Sequence, residues 1–239
     1  MALRTHSPHT PALVSEAVGT FTLIFAGCGA IVIDSLTAQI GHVAIAVVFG
    51  LVILVMIDAL GHISGAHLNP AVTIAFAVTR RQPWWLVPRY VAAQAVGATL
   101  AALALRALFG PVASLGATFP AGSATQSLVL EVVITFLLMF VISAMATDPR
   151  AHNHAAIAIA STVTFVALFA GPISGASMNP IRSLAPALVA GTWTSQWIYL
   201  VGPVVGAIIG AVAYQTMAHA SHLADVPPAT DPGGDSRVE

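Results

Sequence analysis

The sequence predicts an all-α membrane protein of six transmembrane helices plus two re-entrant half-helices, arranged as an inverted repeat. Three observations predict it. The 239 residues are 57% hydrophobic and only 7% charged, with a mean hydropathy of +0.89, a makeup that excludes an ordinary soluble domain. Six apolar runs reach the length of about 20 residues that a helix needs to cross about 30 Å of hydrocarbon. Finally, Asn69-Pro70-Ala71 returns 110 positions on as Asn179-Pro180-Ile181, each copy preceded by Ile-Ser-Gly-Ala, at 63–66 and 173–176.

The spanning runs lie near 12–34, 41–60, 86–108, 126–147, 154–171 and 196–217. The first carries Glu16-x-x-x-Thr20-Phe21, which the fourth matches as Glu131-x-x-x-Thr135-Phe136. Three spans between equivalent points turn the second half upside down in the membrane, and in such a repeat the functional site sits at the midplane where broken helices meet. The apolar pieces 69–78 and 179–189 directly follow the Asn-Pro motifs and are too short to span, so they read as the half-helices. On this reading 1–11 is a cytoplasmic N-terminal segment and 12–217 a membrane domain, with repeat 1 about 12–108 and repeat 2 about 126–217. The polar stretch 218–239, with Pro227-Pro228 and Asp231-Pro-Gly-Gly-Asp235, is expected to be a disordered cytoplasmic tail.

Arginine sets the orientation, because the chain has no lysine and all eight basic residues are arginines. Arg4, Arg80, Arg81, Arg89, Arg150 and Arg237 fall on the N-terminus, the 2–3 and 4–5 connections and the C-terminus. With six spans these share one side, the cytoplasm by the positive-inside rule. Arg106 is expected to snorkel at the outer end of the third span. That leaves Arg182, inside the second re-entrant segment. The first 11 residues are polar and the first apolar run is long enough to span, so no cleavable leader is expected. Cys28 is the only cysteine and reads as packing. A net charge of −1 argues against a nucleic-acid partner, and no side-chain cluster suggests a metal or other cofactor. The lysine-free makeup and compact loops suggest a bacterial inner membrane.

Asn is a favoured N-cap and Pro is at home in the first helical turn, so Asn69 and Asn179 should each start a half-helix. The Ser-Gly-Ala backbone before them is irregular, which is tolerated at membrane depth only where it lines a cavity. Two helix N-termini would then point at the midplane, each carrying about half a positive charge. They oppose a cation or proton and leave a neutral molecule unaffected.

Here the chain resembles the aquaporin (major intrinsic protein) superfamily over about residues 12–217. The resemblance rests on Gly61-His-Ile-Ser-Gly-Ala-His-Leu-Asn-Pro-Ala-Val-Thr73 and Gly171-Pro-Ile-Ser-Gly-Ala-Ser-Met-Asn-Pro-Ile-Arg-Ser183. With Phe25-Ala-Gly-Cys-Gly-Ala30 these look most like the nodulin-like intrinsic proteins and their bacterial relatives. The resemblance implies a non-enzymatic channel, one pore per chain, in a homotetramer. It also implies an outer selectivity filter of Phe49, Ala167, Ala176 and Arg182, and makes Glu16 and Glu131 acceptors of hydrogen bonds from the re-entrant loops. Ile181 departs from the usual alanine; it is expected to pack between the motifs and alter their spacing without closing the pore. His62 and His67 are candidates for the cytoplasmic pore wall. His152 and His154 read as solvated loop residues, and Asp58 as wet.

Water-selective members of the family carry a histidine at the position of Ala167. Two alanines opposite Phe49 and Arg182 make a wider, one-sidedly apolar ring, which suits glycerol, urea or a neutral metalloid hydroxide such as arsenous acid. Ser183 and Ala187 instead follow the water-channel pattern, so the expectation is water plus small neutral solutes. A strictly water-selective channel is the nearest alternative. A secondary transporter also uses inverted repeats, but would need an ion site or proton relay that the central amides do not supply. Gly202, Gly206 and Gly210 recur every four residues and should serve close helix packing.

Overall fold

The computed structural model describes residues 9–147 and 152–224. Among these, the apolar runs become the spans α1 Thr10–Thr37, α2 Gly41–Ser64, α4 Val87–Phe109, α5 Ala124–Thr147, α6 Ala155–Ser174 and α8 Trp197–Ala224; the short pieces become α3 Pro70–Val78 and α7 Pro180–Ala190. All six long helices are apolar enough to cross a membrane. Their exposed surface is lined by residues such as Val14, Val43, Leu51, Leu100 and Ile209, which in hydrocarbon costs nothing.

The repeat is visible in the packing. Helix α1 lies against α2 and α4, while α5 lies against α6 and α8 in the same relation, and α2 meets α6 across the two halves. Each half-helix is wedged between α4 and α8, α3 favouring α8 and α7 favouring α4, so neither half closes alone. Gly97 and Gly206 let the helices of each pair touch: a Cβ on Gly97 would strike the Ala17 carbonyl and one on Gly206 the Val132 carbonyl. Gly202 and Gly210 face α5 in the same way.

Helices α2 and α6 end on matched glycines. Gly65 (φ 84°) and Gly175 (φ 82°) adopt left-handed geometry and donate N–H to the carbonyls of Gly61 and Gly171 at 3.0 and 2.9 Å, the αL cap that glycine makes cheaply. Helix α2 therefore runs four residues past the apolar boundary at 60, because the motif residues 61–64 continue it to the cap. Likewise α8 continues to Ala224, into the stretch read as tail, because 218–224 contains three alanines and a leucine, good helix formers. Arg4, Arg150, Arg237 and the stretch beyond 224 lie outside the described residues.

Candidate functional site: a pore between two half-helices

Asn69 and Asn179 are extended (φ −157° and −151°) and cap α3 and α7. Asn69 Oδ1 accepts from Ala71 N at 2.8 Å; Asn179 Oδ1 accepts from Ile181 N at 3.1 Å and Arg182 N at 3.4 Å. Their amide nitrogens then cross the midplane. Asn69 Nδ2 donates to Met178 O at 2.7 Å and Asn179 Nδ2 to Leu68 O at 2.9 Å. Each amide keeps a second N–H, and both asparagines line the cavity.

Both cross-links form with isoleucine at position 181 of the second motif. Its side chain lies outside the lumen, against the apolar cluster of Leu23, Ile24, Leu68 and Leu105. Ala71, its counterpart, is buried against Met139 and Ala207.

The segments leading to the asparagines carry matched left-handed residues: Ala66 (φ 46°) and Leu68 (φ 50°), Ala176 (φ 42°) and Met178 (φ 52°). Non-glycine residues pay about 1–3 kcal/mol each for such geometry, and surrounding bonds must hold them. Glu16 and Glu131, both fully buried, do so. Glu16 accepts from Ser64 Oγ, His67 N and Leu68 N at 2.8, 2.9 and 2.8 Å; Glu131 accepts from Ser174 Oγ, Ser177 N and Met178 N at 2.7, 2.9 and 2.8 Å. Hydrogen bonds from neutral donors to a carboxylate are the strong kind.

Sequence reading missed the next tier of support. Tyr90 donates its hydroxyl to Ser64 O at 3.0 Å and Tyr199 to Ser174 O at 2.8 Å. The two tyrosines stand 109 positions apart, nearly the repeat of the motifs, and that spacing is the signal that could have found them. Gln94 bridges Glu16 and Thr73; its repeat position is Pro203, so this bridge exists in one half only.

A cavity of about 1090 Å³ runs along these segments. Leu23, Ile53, Leu138 and Val163 give it an apolar wall, and the re-entrant segments 65–69 and 176–179 line it as well. His67 lines it with Nδ1 3.1 Å from Thr73 Oγ1 and its ring between Phe76 and Tyr90. Asp58, His62 and Arg81, all exposed, line the cavity on the side expected to face the cytoplasm. At the outer end Phe49, Ala167, Ala176 and Arg182 all reach the cavity wall. Arg182, only 4% exposed, sets its guanidinium 4.9 Å over the Phe49 ring and donates from Nη1 to Gly116 O at 2.7 Å. Arg106 does not snorkel freely: its Nη1 donates to Val189 O at 2.6 Å, in the last turn of α7, where a cation offsets the helix dipole.

The Major intrinsic protein family matches residues 4–214. Aquaporin NIP1-1 of Oryza sativa subsp. japonica is 56% identical over 210 residues, 87% of this chain and 74% of that protein. Probable aquaporin NIP4-2 of Arabidopsis thaliana is 50% identical over 212 residues, 87% and 75% of the two chains. Among solved structures, the aquaglyceroporin from Plasmodium falciparum superposes with a TM-score of 0.80 at 23% identity, covering 90% of this chain and 99% of that one, which establishes the shared fold. A six-span bundle with two facing half-helices around a continuous cavity is an integral membrane channel. The chain belongs to the major intrinsic protein family, with nodulin-like intrinsic proteins among its relatives. These relatives are plant proteins and lend no support to the bacterial inner membrane expected from the makeup of the chain.

Proposed function

We propose that the pore passes water together with small neutral solutes, such as glycerol, urea or a neutral metalloid hydroxide like arsenous acid, and excludes ions and protons. The observation that carries the solute range is the outer ring. A guanidinium on an aromatic face forms one side, and the methyl groups of Ala167 and Ala176 stand where larger or polar side chains would narrow it. Arg182 offers donors to a hydroxylated solute and repels cations. The apolar wall accommodates the hydrocarbon edge. At the midplane, two helix N-termini and two amide donors disfavour any cation and keep a water column from relaying protons. The names of the relatives, aquaporin and aquaglyceroporin, agree with this class of cargo. A homotetramer with both termini cytoplasmic completes the proposal.

The test is stopped-flow light scattering on proteoliposomes, comparing wild type with Ala167→His. The wild type is expected to pass glycerol and arsenous acid well above bare lipid. The histidine variant should cut both about tenfold, a barrier change of about 1.4 kcal/mol, while retaining water flow. A wild type that passes water alone would overturn the solute range.

A further inference from the structure

The connection between α4 and α5 contains a backbone feature that no side chain announces. Ala113 (φ 48°, ψ 35°), Ser114 (φ 47°, ψ 32°) and Leu115 (φ 55°, ψ 29°) are left-handed in succession, and Gly116 follows at φ 76°. This is a full turn of left-handed helix, whereas L-residues visit that region singly. The turn is closed by Ala117 N donating to Ser114 O at 3.1 Å. Leu115, with no exposed surface, plugs it into the core cluster around Leu23, Cys28 and Leu105. A Cβ on Gly116 would come within 2.7 Å of Cys28 Cβ, so glycine is required by contact as well as by φ.

The carbonyl this turn presents is the one that holds Arg182. Gly116 O accepts from Arg182 Nη1 at 2.7 Å and from Cys28 Sγ at 3.7 Å. Two residues on, Thr118 Oγ1 donates to Ser183 Oγ at 2.6 Å and Thr118 O accepts from Gln196 Nε2 at 2.9 Å. The connection is therefore stapled to the first turn of α7 at the arginine and at the residue after it, and to Gln196 just ahead of α8. A strained turn held at this many points fixes a coordinate, and the coordinate it fixes is that of the guanidinium.

We propose that the left-handed turn 113–116, seated on Cys28, positions Arg182 and thereby sets the solute selectivity of the outer ring; Cys28 is a positioning residue for the filter. The inference rests on Arg182 being the selectivity constriction. Lifting the turn frees the guanidinium to move off the lumen and widens the ring.

The test measures glycerol and water permeability of the full chain in proteoliposomes for Gly116→Ala, Cys28→Val and Cys28→Ser, each in the native and the Arg182→Ala background. Gly116→Ala and Cys28→Val should raise the glycerol-to-water ratio about fivefold, equal to about 1 kcal/mol at the barrier. Cys28→Ser, which keeps a donor for Gly116 O, should leave the ratio unchanged. In the Arg182→Ala background none of the three should shift it. Cys28→Val supplies the reading if Gly116→Ala does not insert. An undiminished shift in the Arg182→Ala background, or an unmoved ratio where Arg182→Ala alone moves it, overturns the positioning role. If Arg182→Ala itself leaves the ratio at the native value, the filter assignment falls, and this inference falls with it.

Discussion

In the outer half of the cavity the wall is made by Phe49, Ala167, Ala176 and Arg182; the repeat carries these positions, 110 residues away, to Ile159, Ile57, Ala66 and Val72 in the inner half. All eight line the same cavity. The backbone support is duplicated almost atom for atom, through Glu16 and Glu131, Ser64 and Ser174, Tyr90 and Tyr199, Asn69 and Asn179. The lumen side chains are not duplicated. One ring holds a cation on an aromatic face; the other is aliphatic. The difference teaches that the repeat supplies a common frame and that, on the proposed function, selectivity is written on one copy. It is written beside the connection 110–123, which lies between the two repeats, where the Gly116 carbonyl meets the arginine.

The strongest way to break this comparison is to make the inner ring resemble the outer. Val72 is 3% exposed and occupies the place in α3 that Arg182 occupies in α7. Val72→Arg puts a guanidinium there with no Gly116 to receive it, next to a helix N-terminus that repels it. We expect water and glycerol permeability to fall at least about tenfold, which needs only about 1.4 kcal/mol at the barrier, with less protein inserted. Vesicle permeability near the native value would mean that the inner ring is wide and wet enough to solvate a charge, and the two halves would then differ in shape as well as chemistry.

Much of the frame was legible in the sequence, and little of the filter's support was. Both half-helices start immediately after the predicted asparagines, and the six spans appear near their predicted places, because hydropathy, N-capping and the Asn-Pro motif are local signals. The glutamates could be placed because they recur beside the same Thr-Phe pair. The turn at 113–116 could not: Ala, Ser and Leu carry no preference for left-handed geometry, and a backbone carbonyl leaves no trace in composition. The surroundings of Ile181 were illegible for a related reason. Its side chain lies against a cluster that includes Ile24 and Leu105, residues distant in the chain that the motif alone does not name.

A second comparison concerns the frame itself. Glu16→Gln and Glu131→Gln each replace one carboxylate oxygen by an amide nitrogen that cannot accept the backbone N–H facing it. Each should lower thermal stability in detergent by about 3 kcal/mol. Glu16 has an additional donor in Gln94, but Gln94 Oε1 has no protein partner, so the Gln94 amide can turn and accept from the new nitrogen, giving up only its neutral bond to Thr73 Oγ1. The two losses should therefore agree within about 1 kcal/mol. A loss confined to one variant would show that the halves are unequal supports despite matching geometry.

The smallest effects should come from the tyrosines. Tyr90→Phe and Tyr199→Phe each remove one neutral hydrogen bond to the carbonyl at the end of α2 or α6, leaving a buried acceptor unpaired at a cost of about 1 kcal/mol. Thermal denaturation should report similar decrements for both. The permeability assay is the sharper instrument, because Tyr199 lies in the filter's half, close to Gln196 and through it to Thr118, whereas Tyr90 lies against His67 in the inner half. If the frame and the filter are separable, neither variant changes the glycerol-to-water ratio. A ratio that moves for Tyr199→Phe and holds for Tyr90→Phe would mean that frame bonds near the turn transmit to Arg182, and that the outer half depends on its support in a way the inner half does not.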